Sequence, residues 1–223
     1  EKEIIVGGGS TLLSTLSNEG IFLPSACGGG GTCIQCTCQV HSGGGSILPT
    51  ESPHFSRKQI ADNYRLGCQV KVREDMEIQI PEEVFGVKEW EATVVSNYNV
   101  ATYIKEFIIE LPKDMDYKAG GYIQINIPES EIPFSNMDIS AHPQDHPGES
   151  GKFEKDWSEG DRSIRNLVMK TEGEVVRAYS MASYPGEGKK IMLNVRIATP
   201  PWDHEKNKWL DVNPGVASSY IFN

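Results

Sequence analysis

The chain has 223 residues, enough for one large domain or two modest ones, each able to bury its own core. Its formal charge is -10, with 21 Lys and Arg scattered along the chain, which excludes the basic stripe that nucleic-acid binding requires. No apolar run reaches the ~20 residues of a membrane-crossing helix, and Glu1 to Val6 reads as a strand rather than a signal peptide.

In chain order, Ile4-Ile5-Val6 predicts a strand. Thr11 to Glu19 predicts a short amphipathic element, with Leu12, Leu13 and Leu16 at helical spacing and Gly20 as its stop. After a cysteine-rich loop, Cys38-Gln39-Val40 reads as a strand ending in the turn His41-Ser42-Gly43-Gly44-Gly45. Within Thr50 to Asp62, Ser52 followed by Pro53 predicts a helix start. Gln69 to Val72 and Met76 to Ile80 alternate as half-buried strands do. A domain boundary is expected between Pro81 and Lys88, closing a compact α+β unit over residues 1–84. Residues 85–223 are strand-rich: Trp90 to Asn97, Ile104 to Leu111, Gly121 to Ile127, Arg177 to Met181 and Ile191 to Ile197 all read as extended, and an antiparallel β-barrel would accommodate them. The polar stretch from Phe134 to Glu174 reads as a long surface insertion with a short helix around Ser163 to Met169.

The chemistry is concentrated in the cysteines. Four of the five lie between Cys27 and Cys38, unlike a spread disulfide framework, and point to metal-holding thiols in a reducing, cytoplasmic-side compartment. Cys27, Cys33 and Cys36 stand as C-x5-C-x2-C, and Cys68 returns much later. Four thiolates are what an iron–sulfur dimer needs, and the run Gly28-Gly29-Gly30-Gly31 lets backbone curl close around a cluster whose sulfurs accept N–H bonds. Competing explanations are an all-thiolate zinc site and disulfides. Cys38, two residues beyond Cys36, is either a fifth candidate ligand or a small core side chain. In the second half, strand alternation puts Arg177 and Tyr179 on one face, where a guanidinium and an aromatic ring suit a flavin dinucleotide; ordinary packing would place them equally well. His41, His54, His142, His146 and His204 sit in turns or polar stretches and are assigned no role.

The cysteine region resembles ferredoxins of the β-grasp fold, with one residue more than the plant-type C-x4-C first gap. Pro24-Ser25-Ala26-Cys27, Gly45-Ser46-Ile47-Leu48-Pro49-Thr50-Glu51 and Arg65-Leu66-Gly67-Cys68-Gln69-Val70 are similar to one group in particular, the F subunits of the Na+-translocating NADH:quinone oxidoreductases. Arg177-Ala178-Tyr179-Ser180-Met181-Ala182-Ser183 resembles the flavin motif R-x-Y-S-x-x-S of the ferredoxin–NADP reductase superfamily, and Gly215-Val216-Ala217-Ser218 its G-x-x-S element.

The resemblance implies a [2Fe–2S] cluster on Cys27, Cys33, Cys36 and Cys68, and FAD on the second domain. Arg177 would bind the pyrophosphate, Tyr179 would stack on the isoalloxazine and Ser180 would bond near the flavin N5. Asn194, Val195 and Ile197 would line the ribityl and adenine side, with Gly215 and Ser218 at a pyrophosphate-facing helix start. It also implies electron entry without a catalytic nucleophile or acid–base pair: NADH to FAD to cluster to partner subunits. The site would be the cytoplasmic face of a bacterial inner membrane. Because the chain runs from Glu1 to Asn223, the family's N-terminal membrane helix and NAD-binding domain are expected outside it, and no direct membrane contact is expected from these residues. Two other functions fit the layout: the reductase component of a soluble multicomponent oxygenase, and a non-catalytic iron–sulfur carrier.

Overall fold

The computed structural model describes residues 2–84 and 89–223. The chain divides into two compact units, Glu1–Glu89 and Trp90–Asn223. The boundary expected between Pro81 and Lys88 falls partly on residues 85–88, outside the described residues.

In the first unit, α1 (Leu12–Asn18) starts where the Thr11 hydroxyl accepts the Ser14 N–H at 3.2 Å, and Leu12 and Leu16 turn inward. β1 (Thr37–Ser42) is the middle strand of an antiparallel sheet. It is flanked by β2 (Tyr64–Leu66) and β3 (Glu77–Gln79). α2 (Arg57–Ala61) precedes β2 and carries a capping box between Ser56 and Gln59.

Three expectations change here. Ile4–Val6 is not a strand. The pairing shifts past the glycines, where Gly9 and Leu12 donate to Val72 and Val70 and Thr11 bridges Lys71. Gln69–Val72 is accordingly an isolated bridge rather than a strand. Ser52 opens only a three-residue turn of 3-10 helix; the capped helix begins at Ser56, whose partner three residues on is Gln59.

In the second unit, β4 (Thr93–Ala101) and β5 (Ile104–Glu110) form a hairpin. Two antiparallel ribbons pair β6 (Tyr122–Ile127) with β9 (Val175–Ser180) and β7 (Ser130–Pro133) with β8 (Val168–Thr171). α3 (Glu154–Ser158) lies between β7 and β8 in sequence. β10 (Lys190–Arg196) pairs with β5, giving the order β10-β5-β4, and β11 (Trp202–Asp203) pairs with β12 (Lys208–Trp209). α4 (Val216–Phe222) ends the unit and packs against β6, β8, β9 and β10.

Every strand pair in this unit is antiparallel, as expected. Among the described residues, however, the strands form separate sheets around one core, not a closed barrel. The alternation of β10 feeds that core directly: Ile191, Leu193 and Val195 are fully buried.

The stretch Phe134–Glu174 does not lie wholly at the surface. Phe134, Trp157 and Met169 are fully buried, and Met137, Ile139, Phe153 and Ile164 join the same cluster. Trp157 stacks on Phe222 of α4 with ring centroids 5.7 Å apart, and its indole N–H donates to the Thr102 carbonyl at 2.7 Å. The helix expected around Ser163 to Met169 is a single turn at Ile164–Asn166 that runs into β8, while the α-helix of this stretch lies earlier, at Glu154–Ser158. Among the described residues no helix is long and apolar enough to cross a membrane.

Candidate cofactor sites

All five cysteines are free thiols. Cys27 and Cys33 are half-buried on the loop before β1; Cys36 and Cys68 are buried at the ends of β1 and β2. The antiparallel register of those two strands pairs Thr37 with Leu66, and Gly67 N–H donates to the Cys36 carbonyl at 2.9 Å, so the late-returning Cys68 comes back beside Cys36. Cys27 and Cys33 act on each other's thiol electrostatically, as do Cys36 and Cys68.

Backbone amides surround the sulfurs. Burial works to raise the Cys27 thiol, yet the Cys33 N–H and thiol with the Thr32 and Gly29 N–H groups outweigh it, bringing Cys27 down to about 6. The Cys36 thiol holds Cys68 down to about 6 against burial, helped by the Gln69 amide and the Gly31 N–H. Cys36, the donor in that pair and desolvated, is pushed up. Thiolate is the form that binds metal. The donor set therefore fits an iron–sulfur dimer: amides directed at sulfur and four cysteines in electrostatic reach of one another.

Cys38 belongs to the core. It is buried on β1 opposite Arg65, and burial pushes its thiol up to about 12.

The first unit also holds an ion pair that the sequence pattern does not reveal. Glu51 is fully buried. Its carboxylate accepts Arg65 Nη2 at 2.7 Å, Arg65 Nε at 3.1 Å, Leu66 N–H at 2.9 Å and Leu48 N–H at 3.0 Å. Arg65 Nη1 donates to the Gly44 and Gly45 carbonyls at 2.8 and 3.0 Å. Both residues stand in stretches that carry the ferredoxin resemblance, but only the fold reveals that they bond to each other.

In the second unit, Arg177 and Tyr179 share a face of β9 opposite buried Ala178, paired across the ribbon with Ile125 and Ile123. Arg177 Nη1 donates to the Val176 carbonyl at 2.8 Å. Burial pushes the Tyr179 phenol up to about 12, against a smaller lowering by Arg177. Ser180 is exposed. Ser183, the last serine of that motif, accepts the Tyr117 hydroxyl at 3.3 Å and the Met192 N–H at 3.2 Å, so it braces the fold.

On β10, Asn194 faces solvent, whereas Val195, and Ile197 just past the strand's end, are buried in the core. Ser218 is buried, with its hydroxyl donating to the Gly215 carbonyl at 3.0 Å and accepting the Ala198 N–H at 3.1 Å. A Cβ on Gly215 would stand 2.5 Å from the Ala198 Cβ, so only glycine lets α4 start against the end of β10. The motif residues of β9, β10 and α4 thus lie on neighbouring elements of one unit, with Ser218 serving the helix start.

Residues 1–73 match the family described as a 2Fe-2S iron-sulfur cluster binding domain. The whole chain aligns with proteins named as the F subunit of Na(+)-translocating NADH-quinone reductase: 47% identical over 224 residues in Marinomonas sp., 49% over 225 in Methylococcus capsulatus and 48% over 224 in Neisseria meningitidis. The alignments cover 100% of this chain and 51% of each relative, so the chain spans about half their length. Among solved structures, the Amycolatopsis cytochrome P450 reductase GcoB is 22% identical at a TM-score of 0.39, covering 86% of this chain and 46% of the other. The ferredoxin reductase in carbazole 1,9a-dioxygenase is 19% identical at 0.37, covering 95% and 54%. Likenesses that weak carry no argument. The full-length sequence match does: along all of its residues the chain is similar to the half of the Na+-translocating NADH-quinone reductase F subunits that it spans.

Proposed function

We propose that this chain is the flavin-to-cluster relay of an electron-entry subunit. NADH, bound elsewhere in a polypeptide of the relatives' length, reduces FAD on the second unit, and electrons leave singly through a [2Fe–2S] cluster on the first. The observation that carries this reading is the β1–β2 register, with the Gly67 N–H on the Cys36 carbonyl, which brings Cys68 back beside Cys36 and the glycine-rich loop that carries Cys27 and Cys33. Cys27, Cys33, Cys36 and Cys68 would hold the cluster. When bound, FAD supplies the conversion between the electron pair of a nicotinamide and the single electrons of a cluster.

The chain's own residues position and insulate. Arg177 offers a fixed guanidinium to the pyrophosphate, Tyr179 a half-buried ring face to the isoalloxazine and exposed Ser180 a hydroxyl near its N5. Asn194 is the polar contact available from β10; Val195 and Ile197 contribute through backbone and by walling the core. Gly215 and Ser218 set where α4 begins. Partner subunits of the membrane complex take the electrons, at the cytoplasmic face of a bacterial inner membrane, with a helix outside these residues as the anchor.

Anaerobic preparation should give a yellow-brown protein whose flavin and iron–sulfur bands both bleach with dithionite, with the EPR signal of a reduced iron–sulfur dimer. Tyr179→Ala should weaken FAD retention and leave that EPR signal unchanged. One zinc per chain and no iron, or intact folding with no affinity for FAD, would refute the corresponding half of the reading.

A further inference from the structure

Gln69 follows Cys68 and is half-buried. Its backbone is held by a bond to the Leu66 carbonyl at 2.8 Å. Its side-chain carbonyl accepts the Thr50 hydroxyl at 3.2 Å, which turns the amide nitrogen toward Cys68, and Nε2 lies 3.6 Å from Sγ. The amide fits because residue 31 is glycine: a Cβ there would stand 2.9 Å from Nε2 and 3.3 Å from Cδ, at a backbone φ of +76° that already disfavours any side chain. Thr50 is anchored in turn, since the adjacent Glu51 is locked to Arg65, Leu66 and Leu48. A side-chain donor is therefore aimed at one candidate ligand sulfur and braced from behind.

A hydrogen bond to sulfur stabilises whichever state carries more negative charge, and an added electron makes the cluster and its thiolates more negative. We propose that the Gln69 amide, oriented by Thr50, sets the potential of the cluster by donating to the Cys68 sulfur and favouring the reduced state. The inference rests on the proposed cluster assignment. Thr50 acts through Gln69 and is a positioning residue.

The test is an EPR-monitored redox titration of the cluster-loaded full chain. Gln69→Ala should lower the reduced-to-oxidised ratio at a fixed ambient potential about three- to tenfold, tenfold being ~59 mV for one electron. Thr50→Val, a surface change that leaves the core untouched, should move the midpoint the same way by less, and adding it to Gln69→Ala should change nothing further. A normal dimer signal with unmoved midpoints in both variants would overturn this inference alone, as would additive effects in the double variant. If Gln69→Ala does not load, the Thr50→Val midpoint decides. Absence of a dimer signal from the unsubstituted chain would overturn the cluster assignment itself.

Discussion

Replacing Arg65 by methionine keeps most of the aliphatic stem and removes the guanidinium. Glu51, fully buried, would then lose the Nη2 and Nε donors at 2.7 and 3.1 Å, and the Gly44 and Gly45 carbonyls would lose Nη1. Breaking one side of a buried ion pair costs about 3–5 kcal/mol because the surviving charge stays buried. With a urea m-value of about 1–3 kcal/mol/M, the unfolding midpoint of the first unit should fall by at least about 1 M. Removing both charges often relieves such a loss. It should not do so here, because Glu51 also caps the Leu66 and Leu48 N–H groups, and each buried donor left unpaired costs ~1–3 kcal/mol. Arg65→Met with Glu51→Leu is therefore expected to be no more stable than Arg65→Met alone. Urea titrations followed by far-UV circular dichroism and by visible absorbance of the cluster measure both variants. A loss below about 1 kcal/mol for Arg65→Met, the level of an exposed pair, or full rescue by the double change would refute this account of the network.

Cys38→Ala should leave the iron content and EPR signal intact, because that thiol lies in the core and is held protonated near neutral pH; loss of iron would make it a ligand. Lys105 is fully buried beneath Phe222, its ammonium 5.3 Å from the ring centroid and bonded to the Asn97 carbonyl, and burial lowers its pKa from 10.5 to about 8. Between those values the unfolded chain holds the proton more often than the folded one. Stability should therefore rise with pH from about 8 to 10.5, by at most ~1.4 kcal/mol per pH unit. Lys105→Met should remove that contribution, and identical pH–stability curves for the two proteins would refute it. Trp157→Ala should cost about 3–5 kcal/mol in the second unit, since it empties a fully buried site between Phe134 and Phe222; a loss near zero in calorimetry would restore the stretch 134–174 to the surface.

Strands are legible where alternation is regular. Lys190–Arg196 matches the stretch read from Ile191 to Ile197, because every second residue there is apolar and enters the core. The stretch Phe134–Glu174 reads as surface because its core residues have no period. Phe134, Met137, Ile139, Phe153, Trp157 and Ile164 are spread among charged and turn-forming residues, and only tertiary packing brings them into one cluster. Ile4–Val6 shows the reverse failure. Its composition suits a strand, but Ile5 is almost wholly exposed, and the chain finds its pairing partner only from Gly9 onward.

The cysteine site divides along the same line. Type and spacing are enough to propose four thiols as iron–sulfur ligands, since that chemistry is carried by the residues themselves. Their arrangement is not readable, because it depends on how β1 and β2 align: with Thr37 opposite Leu66, Cys68 returns beside Cys36. A slip of one residue would turn every side chain of β2 to the opposite face, taking Arg65 away from Glu51 along with its neighbours. The ion pair and the placing of Cys68 therefore depend on one register. Glu51 bonds both to the Leu66 N–H and to the Arg65 guanidinium, so a buried salt bridge, rarely a large net source of stability, gains a definite structural consequence: it holds β2 in the alignment that brings Cys68 beside Cys36.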